Sequence, residues 1–435
     1  MNILFLAHRI PYPPDKGDKI RSFNTIKHLS KSNNLFLGTT LDQKSDMKYV
    51  SGLRKFCREI HAVSFHKKIK LLRSFFSGIS LSVANFYDTS LQNFVDKALN
   101  ERKIDVVICF CSPMAEYIFR TPLFKEGKMG SIRLVMDYVD LDSDKWSQYA
   151  SYSRFPLNIL YRIESSRLFK YETKVNRIFD HSVFISEREV TVFNNLNGDA
   201  RNVHVISNGV DGDYFSPRSR ENGAVSIGNG DEKSSTDQKT GTVRPSLVFT
   251  GVMDYFANED GVRWFCNSVF PRIRAQIPGV QFYIVGNRPT KMVQRLSLVE
   301  GVTVTGFVED IREYYWLADV CVAPLRIARG LQNKVLEAMA TGNAVVATTN
   351  ARDGIIAHEK VDIVTADDEE SFAQEVVTLL QDGQRRREMG MKAVENINKN
   401  YSWGLNLKKF DRLINNRQIS PKQTANANRL LSTRC

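Results

Sequence analysis

Twice along this 435-residue chain, short apolar runs of strand length alternate with helix-length segments, and a stretch with almost no large apolar side chain separates the two series. The first series has runs at Ile3–Ala7, Leu35–Thr39, Val106–Phe110, Arg133–Met136, Val183–Ile185 and Val203–Ile206, with helical candidates such as Lys19–Lys31, Asp46–Arg58 and Leu91–Arg102 between them. The second has runs at Leu247–Thr250, Gln281–Val285, Val302–Thr305, Val320–Ala323, Ala344–Thr348 and Ile363–Ala366. Its helical patterns are Gly261–Gln276, Ile311–Ala318, Leu331–Thr341, Ser371–Gln381 and Gln384–Asn398. A short, continuously apolar run suits a strand buried on both faces, and regular alternation with helices predicts a mostly parallel sheet covered on both sides. The expected fold class is therefore α/β, with two parallel-sheet domains facing one cleft. Lys145–Arg177 has no strand pattern and is expected to add helices.

The separating stretch, Arg218 to Pro245, is rich in Ser, Gly, Asn, Asp and Thr and cannot bury enough surface to fold alone. The domains are accordingly expected at 1–212 and 246–400, joined by a polar linker, 213–245. A helix at 401–415 is expected to return to the first domain, ahead of a basic polar tail, 416–435.

Hydrophobic residues make up 42% and charged residues 25% of the chain, enough for ordinary cores, which excludes chain-wide disorder. No run approaches the roughly 18 apolar residues a spanning helix needs. The start lacks a basic region ahead of its apolar run, so the chain is expected to remain in the cytoplasm. Six cysteines are scattered without a CxxC pair and are expected as reduced core thiols.

The formal charge of +12 is uneven. Residues 1–212 hold 31 basic and 22 acidic side chains, residues 246–400 hold 17 and 20, and residues 401–435 hold 7 and 1. An anionic partner for the first half follows. Nucleic acid is disfavoured, because neither zinc-finger spacing nor an RNP-like segment is present. The segment His66–Phe76 sets Ile69, Leu72, Phe75 and Phe76 on one helical stripe beside Lys67, Lys68, Lys70 and Arg73. That pattern suits contact with a membrane surface or packing on the domain with a solvated basic face.

The stretch Ala323–Val346 carries the most chemistry. It reads as strand, loop, helix, glycine stop, strand, with the helix expected to begin just after Gly330. Free amides at that start, around Leu331, Gln332 and Asn333, would hold a phosphate, aided by the positive helix end. Arg326, Arg329 and Lys334 add cations, and Glu337, about two turns into the helix, is placed to accept hydrogen bonds from neutral hydroxyls such as those of a ribose. In the first half, Gly17 lies in a loop just before a helix, where a glycine permits close backbone approach. The strand Arg133–Met136 runs into Asp137, Asp140, Asp142 and Asp144. In open α/β sheets the carboxyl ends of strands border the ligand crevice. Asp140 is the first choice for orienting an acceptor hydroxyl or stabilising positive charge on a sugar, and Asp137 the second. A calcium loop at Asp140, Asp142 and Asp144 lacks its glycine and distal glutamate, so no metal is expected.

At Glu337-Ala338-Met339-Ala340-Thr341-Gly342-Asn343-Ala344-Val345-Val346 the sequence resembles the retaining glycosyltransferases of family 4, which have the GT-B fold of two Rossmann-like domains. Val205–Pro217, Pro278–Gly286 and Val304–Val308 extend the resemblance along the chain. It implies that Glu337 binds the nucleotide ribose, that Asn333 and Lys334 join the helix amides at the diphosphate, and that Gly17 and Gly251 line the donor side. The family's first motif glutamate falls on Arg329 here. The form Arg329-Gly330 to Glu337, with Thr250–Tyr255 and Asn258–Val262, is similar to a bacterial subgroup associated with exopolysaccharide and exosortase (PEP-CTERM) systems. The resemblance implies front-face transfer from a nucleotide-sugar donor, with retention, without metal or cofactor, to a lipid-linked or nascent polysaccharide acceptor. Lys334 would stabilise the leaving diphosphate. The alternatives are a GT-B sugar-nucleotide epimerase and a non-catalytic sugar-nucleotide-binding scaffold.

Overall fold

The computed structural model of the chain describes residues 1–64, 78–218, 244–328 and 330–415. The basic segment His66–Phe76, the bulk of the polar linker, Arg329 and the tail from residue 416 lie outside the described residues. The chain divides into two compact units, Met1–Ser207 joined by the chain from Asn406, and Asn208–Leu405.

The first unit is built on seven strands: β1 (Asn2–Ala7), β2 (Asn34–Leu41), β3 (Glu59–Ser64), β4 (Val106–Phe110), β5 (Arg133–Val139), β6 (His181–Phe184) and β7 (Val203–Val205). They lie in the order β3-β2-β1-β4-β5-β6-β7, and every pairing is parallel. Ile3 to Ala7 and Val106 to Cys109 are wholly buried, as central strands of a doubly covered sheet must be. The covering helix Thr89–Glu101 shows how the sequence produces that cover. Asp88 caps its start by accepting from the Ser90 and Leu91 amides, at 2.8 and 3.2 Å. Leu91, Phe94, Val95, Ala98 and Leu99 then recur at helical spacing and are all buried. Each such large side chain contributes about 1.5–3 kcal/mol.

β3 escaped the sequence reading. Its residues, Glu59-Ile60-His61-Ala62-Val63-Ser64, are half-buried because the strand is at the sheet edge and pairs only with β2, so its composition carries no apolar run. Where one helix was expected over Asp46–Arg58, the chain forms a 3-10 helix, Lys44–Leu53, before entering that strand.

A buried ion pair ties the first helix to the middle of this sheet. Arg21, on the helix Gly17–Leu29, donates from Nε to both oxygens of Asp137, at 2.9 and 3.2 Å, and from a terminal nitrogen to one of them at 3.0 Å. Its other terminal nitrogen donates to the Ile206 carbonyl at 2.7 Å. Both side chains are shut off from solvent. Breaking such a pair leaves an uncompensated buried charge. Asp137→Ala is therefore expected to destabilise the first unit by about 3–5 kcal/mol, read as a lower denaturation midpoint, whereas the double variant Arg21→Met/Asp137→Leu should recover part of the loss.

The second unit has six strands: β8 (Ser246–Thr250), β9 (Gln281–Val285), β10 (Val302–Gly306), β11 (Val320–Ala323), β12 (Ala344–Ala347) and β13 (Val364–Thr365). Their order is β10-β9-β8-β11-β12-β13, again with parallel pairing throughout. Two parallel-sheet α/β units are what the alternation predicts. The division between them falls at Ser207 and Asn208 rather than after residue 212. Polar composition misplaces it because specific anchors hold the segment to the second unit. The Val210 amide donates to the Tyr401 carbonyl at 2.7 Å, Trp316 Nε1 donates to the Ser216 carbonyl at 3.0 Å, and the Arg312 guanidinium lies 4.0 Å over the Tyr214 ring. In the last helix, Trp403–Asn415, the residues from Asn406 belong to the first unit. There Asp411 meets His28 at 2.8 Å, and Arg133 donates to the Ile414 carbonyl.

Among the described residues no helix is long and apolar enough to cross a membrane. Cys57, Cys109, Cys111, Cys266 and Cys321 are buried free thiols, while Cys435 lies outside the described residues.

Candidate functional site

Each unit brings a set of polar side chains to the carboxyl ends of its strands. In the second unit the set centres on the helix Asn333–Ala340, which starts at Asn333 with Gln332 as its cap, slightly later than the expected start just after Gly330. Gly330 has φ +62°, a left-handed conformation that favours glycine, and it turns the chain into the helix. Its cap residue makes no side-chain hydrogen bond to the helix start, and its first turn holds no acidic residue, so no carboxylate of that turn offsets its positive end. Leu331 is buried and can offer only its backbone. Gln332 donates from its carboxamide to the Gly330 carbonyl at 3.2 Å, and Asn333 accepts from Asn208 at 3.5 Å.

Lys334 points back toward the end of β8. Its Nζ donates to Asn258 Oδ1 and stands 4.4 Å from the Phe249 ring centroid. Burial pushes the Lys334 ammonium down to about 7, against the pull of Glu337. Gly251 makes room for this arrangement. A Cβ there would come within 2.7 Å of Asn258 Nδ2 and 3.1 Å of Lys334 Nζ. Gly286, at the end of β9 with φ +147°, leaves no space for a Cβ either, which would fall 1.7 Å from the Gly251 carbonyl oxygen. Two strand ends thus meet through bare backbone, and that of Gly251 lies beside the lysine.

One turn further on, Glu337 is oriented by a relay. Thr250 Oγ1 and Tyr315 Oη are 2.8 Å apart, and the tyrosine donates to Glu337 Oε2 at 3.0 Å. The tyrosine spends its single hydroxyl proton on the carboxylate, so Thr250 is the donor of the first bond. Burial raises the Glu337 carboxyl above its ordinary value, and Tyr315 and Lys334 oppose the shift. Glu337 is therefore a fixed acceptor with one oxygen held by protein. Arg326 differs from expectation. It forms a two-point ion pair with Asp260, at 2.6 and 3.1 Å, so its charge is already matched. Arg329 lies outside the described residues.

The first unit's set surrounds the end of β5. Asp137 is occupied by Arg21 and wholly buried, which removes the second choice for an acceptor-facing carboxylate. Asp140 is different. Val139 has φ +67°, a strained conformation for a β-branched residue, and the pairing of β5 with β6 slips between Asp137 and Val139. Asp140 follows directly on this slip. Its Oδ1 is buried with no hydrogen-bond partner among the described residues. Burial, then Glu189 and Asp142, push the Asp140 carboxyl up to about 7. Asp142 and Asp144 lie in the first turn of the helix Asp142–Tyr152, which gives them a helix-end role in place of a calcium loop. Among the described residues no group of three or more His, Cys, Asp or Glu side chains is disposed to hold a metal ion.

Gly17 is the exposed first residue of the helix Gly17–Leu29, in the first unit. The neighbouring Asp18 accepts from the Lys19 amide and from Arg9, both at 3.0 Å, and lies 3.3 Å from His8. That helix start already has a carboxylate, unlike the start at Asn333.

Of the residues singled out in sequence, the structure places Gly251, Lys334, Glu337 and the helix start at Asn333 in the second unit, and Asp140 and Gly17 in the first. Phe249, Thr250, Asn258, Gly286 and Tyr315 take no role in the sequence reading of the site. The glycines following β8 and β9, Gly251 and Gly286, are the signal that could have found part of this set.

Residues 244–382 match the family model described as "Glycosyl transferases group 1". The chain is 20% identical over 411 residues to an uncharacterized 44.6 kDa protein in the cps region of Klebsiella pneumoniae, covering 92% of this chain and 96% of that one. Among solved structures it is similar to Anabaena HepE in complex with UDP, with TM-score 0.67, 15% identity and coverage of 95% and 99% of the two chains. It is also similar to sucrose-phosphate synthase from Thermosynechococcus elongatus, with TM-score 0.65, 15% identity and coverage of 95% and 98%. The fold is GT-B, and the stretch of the second unit from residue 244 to 382 is what matches the group 1 glycosyltransferase model.

Proposed function

We propose that the chain is a metal-independent retaining glycosyltransferase that takes a sugar from a nucleotide-sugar donor. The observation that carries this reading is the convergence of Lys334, Glu337, Gly251 and an uncapped helix start at the strand ends of the second unit. A partly desolvated lysine beside the amides of a helix start matches a diphosphate, and a fixed carboxylate about one turn further along that helix matches a ribose diol. In the transfer the bond between the anomeric carbon and the donor phosphate oxygen breaks with the diphosphate keeping the electron pair, the acceptor hydroxyl oxygen forms the new bond to that carbon on the same face, and its proton passes to the leaving phosphate. Lys334 and the amides at Asn333 stabilise that charge more as it develops, which lowers the barrier. Asp140 orients the acceptor hydroxyl or offsets positive charge on the sugar. The reading needs no cofactor.

Support for the donor class comes from HepE and from TarM, each crystallised with UDP, and support for a polysaccharide setting comes from the relative's cps region. The positive first half suits a lipid-linked, anionic saccharide acceptor at the inner face of the cytoplasmic membrane, in the synthesis of exopolysaccharide or another surface polymer. A thermal-shift series with UDP-, GDP- and ADP-sugars tests the reading. One nucleotide class is expected to raise the melting temperature, and Glu337→Ala is expected to remove most of that rise. Release of free nucleotide only when extracted lipid acceptor is present marks transfer. Isomerised donor with no acceptor consumed marks an epimerase, and binding without turnover marks a scaffold.

A further inference from the structure

The hairpin of helices Asp142–Tyr152 and Leu157–Ile178 in the first unit carries a tip that the site does not use. Its first helix, 11 residues long, runs for about 16 Å from the end of β5. The base is firmly held. Ser165 Oγ donates to the Ser143 carbonyl at 2.7 Å, and Tyr138 Oη donates to the Glu172 carbonyl at 2.7 Å. Glu164 accepts from Ser80 Oγ and from the Leu81 and Ser82 amides, at 2.7 to 2.8 Å. Midway along, the Trp146 and Tyr161 rings are 5.3 Å apart, and Trp146 Nε1 donates to Ser82 Oγ at 3.2 Å.

Beyond that point the packing stops. Phe155 is 77% exposed, Tyr152 65%, Leu157 50% and Ile159 49%. From Lys145 to Ile163 the chain holds three cations, Lys145, Arg154 and Arg162, and no carboxylate, and all three cations are exposed. Large apolar and aromatic side chains at an exposed hairpin end, with exposed Arg154 in the tip and exposed Arg162 one turn along the second helix, have the composition of an interfacial membrane anchor. A second copy of the chain would bring the same cations together at its own tip, which is unfavourable without an anion between them.

We propose that this tip, Tyr152 to Ile159, inserts among the headgroups of an anionic bilayer. The inference deepens the membrane part of the functional reading by locating the contact, and it is independent of the transfer chemistry. Insertion at a point about 16 Å from the strand ends would hold the first unit's Asp140 near the bilayer, where a lipid-linked acceptor presents its saccharide.

The test is co-sedimentation of the full chain with phosphatidylcholine vesicles, with and without phosphatidylglycerol. The native protein is expected to sediment with the anionic vesicles only. Phe155→Ser/Leu157→Ser and Arg154→Glu/Arg162→Glu are each expected to lose vesicle affinity by about tenfold or more, with the native melting temperature and the same nucleotide-sugar thermal shift. Native-like vesicle binding by both variants overturns the tip assignment while leaving membrane contact through another surface standing. Indifference of the native protein to anionic vesicles overturns both. Self-association that the variants abolish, with vesicle binding unchanged, reassigns the tip to a second copy.

Discussion

Replacing Lys334 by alanine is expected to lower kcat/KM for sugar transfer by about a hundred- to a thousandfold, with little loss of fold stability. The rate effect follows from the position of Nζ, beside the uncapped helix start and the bare backbone of Gly251. There it meets charge that grows on the leaving diphosphate, and a preorganised donor lost from such a place costs about 3–4 kcal/mol of transition-state stabilisation. The small stability effect follows from the ammonium being held down to about 7 by burial. With the folded value below that of the unfolded chain, the unfolded state binds more protons from about pH 7 upward. Stability contributed by this group thus rises across that window, and below it the folded protein carries a desolvated charge. Removing the charge relieves that cost.

The same shift makes donor binding pH-dependent. Above about pH 7 the site of the free protein is increasingly neutral, so binding of the anionic diphosphate must take up a proton. Affinity for the selected nucleotide sugar is expected to fall as pH rises from 7 to 9, with a calorimetric heat that varies with the buffer's ionisation enthalpy. Lys334→Arg keeps the charge and should flatten that dependence. A native profile already flat over this range sinks the placement of Lys334 at the diphosphate.

Asp140→Asn is expected to cut transfer by roughly a hundredfold or more while leaving the nucleotide-sugar thermal shift intact, because the residue sits in the other unit from Lys334 and Glu337. Its carboxyl is raised to about 7 by burial and by Glu189 and Asp142, so the ionised form accumulates only above that pH. In the native enzyme kcat/KM is expected to climb with ionisation of Asp140 up to about pH 7 and to turn down above it as Lys334 loses its charge, and in the variant the rising limb should disappear while the fall remains. Because Asp140 titrates with its neighbouring carboxyls, the observed midpoint belongs to the group. The sign of the stability effect separates this role from a structural one. A folded value raised above the unfolded one contributes stability at low pH that is lost as pH climbs from about 4 to about 7. At pH 8 the asparagine variant should melt no lower than the native protein, and the loss of activity would then be a loss of chemistry. Asp137→Asn reverses the pattern, since its carboxylate is bonded to Arg21 and its loss destabilises.

The contrast between Asp137 and Asp140 shows how far the sequence could be read. Three residues apart at the end of one strand, the two carboxylates are equivalent to any pattern of composition or spacing. Only the pairing with Arg21 across 116 residues gives Asp137 a buried ion-pair partner, while Asp140, just past the slip of β5 against β6 at Val139, keeps its Oδ1 buried with no hydrogen bond among the described residues. The helix start near Gly330 and the position of Glu337 were legible, because a glycine before an apolar helix and an acid two turns later are local features. Asn258 and the relay from Thr250 through Tyr315 to Glu337 were not, because their partners are separated by 65 and 76 residues in the chain for Thr250–Tyr315 and Asn258–Lys334.

The sequence by itself determined the class of this protein. Continuous apolar runs alternating with helical segments have one economical burial, a parallel sheet covered on both faces, and the chain repeats that solution on either side of a polar stretch. It determined, too, that the positive charge belongs to the first half and the end of the chain. The tertiary structure alone decided which polar groups are spent on the fold and which remain. Strand order in both sheets departs from chain order, so the contacts made at strand ends cannot be counted off along the sequence. Arg326 is thereby paired with Asp260, and Asp137 with Arg21. Lys334, Glu337 and Asp140 keep their chemistry because burial and fixed neighbours hold each of them away from its ordinary protonation range.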